Sequence, residues 1–353
     1  MATSSPMVRI SSALFILSML VLDVGAIGVN YGQIADNLPP PAQVRQLVET
    51  TTIKKLKLFD TNPNVLTAFA GSPIEIVVAA GNDQIVPLAN SPEAALQWVQ
   101  TNVAAYPTTN ITMISLGNEV LAYAADSAPS LLPALQNLHQ AVVTLGLDGQ
   151  VKVTTPHAMS ILAASEPPSA GVFRDWEGTI VIPMLSFLAQ TQSPLMVNAY
   201  AYFAYINSPN VTLNFCLFQP TPDEVKFDNV TLLNYTSMFD AQVDALYHAM
   251  DKAGFNNVSV AVGETGWPSV GDPYVKGPSR ESAQLFNYNL VKHLESGVGT
   301  PWKPGVVTDT YIFALFNENQ KPGPSYEQNF GLFYPNSTLV YDSGIIPPVS
   351  PFV

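Results

Sequence analysis

The chain has 353 residues, of which 47% are hydrophobic and only 12% are charged, and its formal net charge is −13. This acidic balance argues against nucleic acid, anionic lipid or anionic polysaccharide as a partner, because like charges repel, and it favours a neutral substrate. The single cysteine, Cys216, excludes an intrachain disulfide. Stability must therefore come from the packed core.

The first 26 residues have the pattern of a secretion signal. Arg9 supplies a positive charge, residues 10–22 form an apolar stretch too short to span a bilayer comfortably, and the small residues at 24–26 are typical of a cleavage site. We therefore expect residues 1–26 to be removed, leaving a secreted, soluble chain at 27–353 with no membrane insertion. Six Asn-x-Ser/Thr sequons agree with secretion: Asn110, Asn210, Asn229, Asn234, Asn257 and Asn336.

After residue 26, short β-rich runs alternate with amphipathic helical stretches. Helices are predicted at 91–106, where Ser91 is the N-cap, and at 236–253 and 279–296, each followed by a glycine. The pattern predicts strands at Ile27–Tyr31, Ile53–Phe59, Ile74–Ala79, Thr112–Leu116, Val151–Thr155, Leu195–Tyr200, Val258–Val262 and Asp309–Phe316.

Eight strands separated by helices predict an α/β fold in which parallel βαβ units close into a (β/α)8 TIM barrel. An open doubly wound sheet is the alternative. Its usual nucleotide-binding fingerprint is missing, since the stretch "GVNYGQIADN" after the first strand lacks G-x-G-x-x-G. We expect one catalytic domain at 27–353, with a small excursion at 202–234 after strand six.

Two glutamates stand where predicted strands run into loops, the place where barrels of this kind carry reactive groups. Glu119 follows the run "ITMISLG" and Glu264 follows "VSVAVG", and each lies within two residues of a glycine. A lone carboxylate after a strand is often only a solvated loop residue. Two at the tips of one barrel match glycoside hydrolysis, in which one carboxyl protonates the leaving oxygen and the other attacks or activates water.

The sequence lacks the residue patterns that metal-dependent, serine and cysteine hydrolases require. The four histidines show no metal-like spacing, and three of them fall within helical patterns. A serine hydrolase should show a G-x-S-x-G elbow, which does not occur, and Cys216 has no evident base. We therefore expect neither a metal nor a cofactor.

Several stretches, spread over nearly the whole mature length, carry a recognisable pattern: "IGVNYGQIADNLP", "FDTNPNVLTAFAGSPIEIVVAAGN", "SLGNEV", "TPHAMSILAASEPPSAGVFR", "MLSFLAQTQSPLMVNAYAYFAY", "VAVGETGWPSVG" and "YIFALFNENQKPGPSYEQNFGLFYPN". In these stretches the chain resembles glycoside hydrolase family 17, the plant β-1,3-glucanases. The resemblance implies a (β/α)8 barrel with retaining chemistry that cleaves internal β-1,3 linkages of neutral glucans such as callose or laminarin-type polymers. It also implies a monomer in the apoplast or cell wall.

By this resemblance Glu264 is the nucleophile and Glu119 the general acid/base, with Asn118 beside the sugar's 2-hydroxyl. Lys321 is expected to keep Glu264 ionised through its positive charge. The resemblance also implies an ion pair between Lys321 and Glu327. It gives supporting or substrate-binding roles to five further residues: Tyr31, Tyr200, Glu318, Lys321 and Glu327.

Two positions depart from the family's usual pattern. Lys57 stands where arginine is usual, and Ala201 stands in place of a proline after strand six. Two other functions stay open. One is a β-glucan transglycosylase, which passes the glycosyl group to another glucan instead of water. The other is a non-catalytic cell-wall carbohydrate-binding protein, which has no need of an acid and a nucleophile.

Overall fold

The structure is a computed structural model that describes residues 27–174 and 179–347, so the predicted signal segment at 1–26 lies outside the described residues. Strands in the described ranges are β1 (Ile27–Tyr31), β2 (Lys55–Leu58), β3 (Glu75–Ala80), β4 (Ile111–Leu116), β5 (Lys152–Thr154), β6 (Pro156–Ala158), β7 (Leu162–Ala164), β8 (Val172–Phe173), β9 (Leu195–Asn198), β10 (Lys226–Asp228), β11 (Leu233–Tyr235), β12 (Val260–Thr265) and β13 (Asp309–Ile312). The α-helices are α1 (Pro41–Glu49), α2 (Pro63–Ala68), α3 (Ile85–Asn90), α4 (Pro92–Val99), α5 (Val120–Tyr123), α6 (Ala128–Thr144), α7 (Val181–Thr191), α8 (Ala201–Asn207), α9 (Leu213–Cys216), α10 (Met238–Lys252) and α11 (Arg280–Ser296).

Nine parallel strands form one nearly closed barrel with the helices around it. Their order is β5-β4-β3-β2-β1-β13-β12-β9-β6, so that β1 pairs with both β2 and the last strand, β13. All neighbouring pairs in this sheet are parallel, as expected when each strand is followed by a helical crossover. The prediction of a (β/α)8 barrel is confirmed. The alternative, an open doubly wound sheet, does not describe this fold.

The fifth strand, predicted as one segment at 151–155, is divided in the structure. The structure has two short strands on either side of Thr155: β5 pairs with β4, and β6 pairs with β9, with Pro156 opposite Met196. Pro156 has no N–H to donate, so a continuous hydrogen-bond ladder cannot run through it. The seam of the barrel therefore lies at this position.

The predicted helix ends are confirmed where a cap could be identified. Ser91 accepts a hydrogen bond from the Ala94 N–H at 3.0 Å, and Gly297 closes α11 in a left-handed conformation with φ of 68°. The helix predicted at 91–106 is α-helical only to Val99 and continues as a π-helical turn over 100–104.

A layer of side chains fills the inside of the barrel. Gly28 leaves space for this layer, because a Cβ at that position would lie 2.5 Å from the Tyr311 ring. Lys57 is opposite Val77 in the β2–β3 register, so its side chain points inward as well. The apolar members of the layer are Val77, Met113, Met196, Ala261 and Tyr311.

The excursion predicted at 202–234 is present and has structure of its own: α8, α9 and the antiparallel hairpin of β10 and β11. A second small hairpin, β7 with β8, lies in the connection after β6 and was not predicted, because strands of two or three residues carry too little pattern. Of the helices that the structure describes, none is long and apolar enough to cross a membrane.

Candidate active site

A bulge in β12 determines the direction of the Glu264 side chain. The register with β9 pairs Val262 with Val197 and then Glu264 with Asn198, so two residues of β12 advance against one of β9. Strict alternation from Ala261, which faces the interior, would turn Glu264 outward. The extra residue reverses this and re-aims the carboxylate into the mouth of the barrel.

Asn30, at the tip of β1, holds this bulge. It is fully buried, and its Nδ2 donates to the carbonyl oxygen of Gly263 at 3.0 Å. Gly263 also needs to be glycine, since a Cβ there would meet the Met196 side chain at 2.7 Å. The sequence around Glu264 therefore serves to shape the backbone that presents it.

Glu264 has two polar neighbours and is 7% exposed. The Tyr200 hydroxyl donates to its Oε2 at 2.8 Å, and the Lys57 Nζ lies 3.6 Å from its Oε1. The Lys57 ammonium also lies 4.1 Å from the centre of the Phe59 ring. Burial lowers the pKa of Lys57, while the charge of Glu264 opposes that shift. A buried ammonium thus faces the carboxylate of Glu264 from inside the barrel.

Glu119 lies on a tight backbone turn at the end of β4. Its φ of 51° is in the left-handed region, which costs a non-glycine residue roughly 1 kcal/mol and is found mostly at functional sites. The turn is fixed from both sides: the Asn118 N–H donates to Asn82 Oδ1 at 2.7 Å, and the Glu119 N–H donates to the Pro156 carbonyl at 2.9 Å. The carboxyl group is held by backbone restraint before any substrate arrives.

Asn198, at the tip of β9, links the two glutamates. Its Nδ2 donates to Glu119 Oε1 at 2.9 Å and to Asn118 Oδ1 at 3.2 Å, and its backbone is the register partner of Glu264. Burial raises the pKa of Glu119, and the negative charge of Glu264 raises it further. The two carboxyl groups therefore belong to one electrostatic unit.

Three charged residues of the loop after β13 lie beside this pair. Glu318 is buried and accepts the Ile34 N–H at 2.8 Å, in a space that Gly32 leaves open, since a Cβ there would lie 2.4 Å from the carboxylate. Lys321 lies 3.8 Å from Glu327. Burial raises the pKa of both Glu318 and Glu327, and the charge of Lys321 opposes both shifts.

The ion pair expected between Lys321 and Glu327 is present, and the Lys321 ammonium also lies 3.7 Å from the centre of the Phe313 ring. The effect of Lys321 on Glu264 stays a prediction. The cation next to Glu264 is Lys57. In the sequence Lys57 stands out only as an unusual residue in strand two, because a strand pattern does not tell which inward side chain faces a residue about 200 positions away.

Aromatic rings line the site around Tyr200. Its ring centre lies 5.1 Å from that of Phe203, 5.9 Å from Phe330 and 6.4 Å from Phe313. Tyr31, by contrast, is only 2% exposed and packs edge-on against Phe316 at 6.1 Å. Tyr200 thus lies at the two glutamates, whereas Tyr31 offers almost no surface, and its role in substrate binding stays a prediction.

The other reactive side chains lie in unreactive surroundings. Cys216 is fully buried, and burial raises the pKa of its thiol to about 12. His157 is buried against the Met184 sulfur at 3.2 Å, and burial lowers its pKa to about 4. Within residues 27–174 and 179–347, no three histidine, cysteine or acidic side chains are grouped so that they could hold a metal ion.

Sequence comparison places the chain among known hydrolases. The family described as Glycosyl hydrolases family 17 matches residues 27–344. The chain is 46% identical over 322 residues to glucan endo-1,3-beta-glucosidase 7 of Arabidopsis thaliana, an alignment that covers 90% of this chain and 64% of that protein. It is 44% identical over 348 residues to glucan endo-1,3-beta-D-glucosidase of Olea europaea, covering 96% of this chain and 75% of the relative.

Solved structures agree with the sequence relatives. A beta-1,3-glucanase and allergen of Cryptomeria japonica pollen superposes with a TM-score of 0.86 at 41% identity, over 90% of this chain and 98% of the other. One of two plant beta-glucan endohydrolases described as having distinct substrate specificities gives a TM-score of 0.82 at 40% identity, over 89% and 99%. The chain belongs to glycosyl hydrolase family 17.

Proposed function

We propose that this protein is a secreted, monomeric endo-hydrolase that cleaves internal β-1,3-glucosidic linkages of neutral β-glucans with retention of configuration. Membership of the family supports glycoside hydrolysis, and the names of the plant relatives support the β-1,3 linkage. The net charge of −13 is compatible with a neutral polymer and unfavourable for an anionic one.

The observation that carries the assignment of roles is the unequal environment of the two glutamates. The Lys57 ammonium lies 3.6 Å from Oε1 of Glu264, and the Tyr200 hydroxyl donates to its Oε2 at 2.8 Å. Burial and the charge of Glu264 raise the pKa of Glu119, which favours its protonated form. An acid that is favoured in its protonated form, beside a second carboxyl group that faces a cation and a hydroxyl donor, is the arrangement that an acid and a nucleophile require.

In the first half-reaction, a carboxylate oxygen of Glu264 bonds to the anomeric carbon as the bond to the leaving glycosidic oxygen breaks. Glu119 gives its proton to that oxygen, so the shortened glucan leaves as a neutral alcohol. Tyr200 and Lys57 hold the attacking carboxylate in place, and the left-handed turn at Glu119 holds the acid.

In the second half-reaction, Glu264 is an ester and has lost its charge. The raising effect of that charge on the pKa of Glu119 disappears, while Lys57 and the Asn198 donor still stabilise the Glu119 carboxylate. Glu119, now ionised, takes a proton from water as the water oxygen bonds to the anomeric carbon. The ester bond breaks, Glu264 returns as a carboxylate, and the product keeps the β configuration.

Hydrolysis of laminarin tests this proposal. Wild-type protein should release reducing ends whose first-formed anomer is β by proton NMR, with oligosaccharides of several lengths appearing before glucose. Glu264→Gln should lower kcat by at least about 10⁴-fold, because the covalent path is lost. Absence of hydrolysis by the wild type, or release of the α anomer, would overturn the assignment.

Restoration of a lost carboxylate by a small anion separates the two roles. Added azide should yield the α-glucosyl azide with Glu264→Ala, where it replaces the nucleophile, and the β-glucosyl azide with Glu119→Ala, where it attacks the glycosyl-enzyme. The opposite pattern would exchange the two assignments.

Products longer than the starting oligosaccharide would instead identify a transglycosylase. Recovery of a mature chain that begins at Ile27 from a plant culture medium tests secretion.

A further inference from the structure

An apolar patch is exposed on the hairpin of β10 and β11, a segment that contains neither of the two glutamates. Phe227 is 58% exposed, Val230 is 73% exposed and Leu232 is 70% exposed. Three large apolar side chains so close together on a surface hairpin are unusual, because such a cluster gains free energy when something covers it.

The register of the hairpin separates a buried face from an exposed face. Phe227 is paired with Asn234, and the next pair is Lys226 with Tyr235. Tyr235 and Asp228 are fully buried, whereas Phe227 and Asn234 both lie on the exposed side. Directly paired residues of an antiparallel ladder have Cβ atoms about 4.5–5.5 Å apart. The Asn234 side chain therefore stands beside the exposed Phe227 ring.

The hairpin is held rigidly on the barrel by Asp228. Its carboxylate accepts the Ser169 N–H at 2.8 Å, the Ser169 hydroxyl at 2.7 Å and the Val230 N–H at 3.0 Å. The Leu232 N–H also donates to the Asp228 carbonyl at 2.8 Å and closes the turn. The patch is therefore a fixed surface and not a loose loop that could fold away its own apolar residues.

Two sequons lie on this patch, Asn229-Val230-Thr231 in the turn and Asn234-Tyr235-Thr236 on β11. Both asparagines are exposed, and no hydrogen bond engages either side-chain amide in the part of the chain that the structure describes. The sequon at Asn336 is different, because its Oδ1 accepts both the N–H and the hydroxyl of Thr338.

We propose that Asn229 and Asn234 carry N-linked glycans and that the first N-acetylglucosamine on Asn234 packs on the Phe227 ring. A pyranose presents an apolar C–H face that matches a flat aromatic surface, and the sugar on Asn229 covers Val230 and Leu232 at the turn. The glycans are thus the occupant of the apolar patch.

The transfer follows ordinary secretory chemistry and therefore depends on the proposed secretion. Nδ2 of the asparagine forms a bond to C1 of an oligosaccharide carried on a lipid pyrophosphate. The bond from C1 to the pyrophosphate oxygen breaks, the lipid pyrophosphate leaves with the electron pair, and the amide releases one proton. The donor is supplied by the secretory compartment, not by this protein.

The first test is occupancy. The full chain is expressed in a eukaryotic host once with its own residues 1–26 and once with the signal peptide of another secreted protein. Mass spectrometry of the peptide that contains residues 226–236 should show glycan mass on both asparagines. Failure of secretion only with residues 1–26 would contradict the proposed secretion alone. Unmodified asparagines in chain secreted by the second route would overturn the glycan proposal.

The second test is a thermal double-mutant cycle on the secreted protein. Asn234→Gln should lower Tm by about 2 °C in the wild-type background and leave it unchanged in the Phe227→Ser background, because the sugar has then lost its platform. Asn257→Gln, at an exposed sequon outside the hairpin, is the matched control and should not depend on Phe227. An equal loss from Asn234→Gln in both backgrounds would overturn the packing.

Enzymatic removal of the glycans keeps the second test decisive if the Phe227→Ser variant is not secreted. Wild-type protein trimmed to the first N-acetylglucosamine should keep its Tm. Protein from which the glycans are removed completely should have a Tm that is lower by about 2 °C. If Tm already falls when the glycans are trimmed to the first sugar, the outer sugars and not the packed one stabilise the hairpin. That result would contradict the proposal.

Discussion

The Nζ atom of Lys57 lies 3.6 Å from Oε1 of Glu264, and the two side chains are 1% and 10% exposed. A pair of charges this deeply buried is held by mutual compensation, because removal of one partner leaves the other charge without solvent or counterion. The interaction therefore couples the stability of the barrel to the chemistry of its carboxylate.

Replacement of Lys57 should lower both the stability of the fold and the rate of hydrolysis. Lys57→Met should reduce the free energy of unfolding by about 3–5 kcal/mol, measured with urea at pH 6, because Glu264 stays buried without its counterion. It should also lower kcat on laminarin by at least about 100-fold. Lys57→Arg keeps the charge and should stay within about tenfold of the wild-type kcat. Unchanged kinetics in Lys57→Met would show that the pair has no catalytic importance.

The hydroxyl of Tyr200 should contribute mainly to turnover. Tyr200→Phe removes a 2.8 Å hydrogen bond to Glu264 Oε2 and leaves the ring, so we expect kcat to fall about 10- to 100-fold with little change in KM. The matched control is Tyr202→Phe. The buried Tyr202 hydroxyl has no hydrogen-bond partner among the residues that the structure describes, so its loss should cost nothing. Equal effects of the two substitutions would contradict a specific role for Tyr200.

The hydrogen bond from Asn198 to Glu119 should set the alkaline limb of the pH profile. The donor stabilises the Glu119 carboxylate and so lowers the pKa of that group against the effects of burial and Glu264. In Asn198→Ala the pKa of Glu119 rises, Glu119 keeps its catalytic proton to higher pH, and the alkaline limb of kcat/KM moves up by about one pH unit. A shift to lower pH would contradict Glu119 as the acid.

Glu119 should also make the folded state less stable as pH rises. Its folded pKa lies above the unfolded value, so the folded chain binds more protons, and the stability contributed by this group is lost as pH rises from about 4 through the raised pKa. Glu119→Gln removes this loss. Urea unfolding at pH 4 and pH 7 should show that the variant gains stability relative to wild type at the higher pH. A constant difference between the two pH values would contradict the raised pKa.

Gly266, two residues after Glu264, should not tolerate a side chain. A Cβ there would lie 2.2 Å from the Phe313 carbonyl oxygen, a backbone atom that cannot move aside alone. We expect Gly266→Ala to cost about 1–3 kcal/mol of unfolding free energy and to reduce activity by displacing Glu264. Gly149→Ala is the control and should be neutral in both measurements, because no atom of residues 27–174 and 179–347 outside its own neighbourhood in the chain lies within 4 Å of the new Cβ.

The sequence by itself determined the alternation of strands and helices, and with it the barrel and the placing of Glu119 and Glu264 at strand ends. Those features follow from local periodicity and capping, which each segment carries in its own residues. Only the tertiary structure decided that Lys57 faces Glu264, and that strand five breaks at Thr155. It also revealed Asn198 as the link between the two carboxyl groups.

The physical reason is that register and burial depend on neighbours from distant parts of the chain. One extra residue at Gly263, held by Asn30 from the first strand, reverses the face on which Glu264 emerges. A charge such as that of Lys57 interacts strongly only over a few ångströms, and closure of the barrel is what brings it to 3.6 Å from the carboxylate oxygen of Glu264.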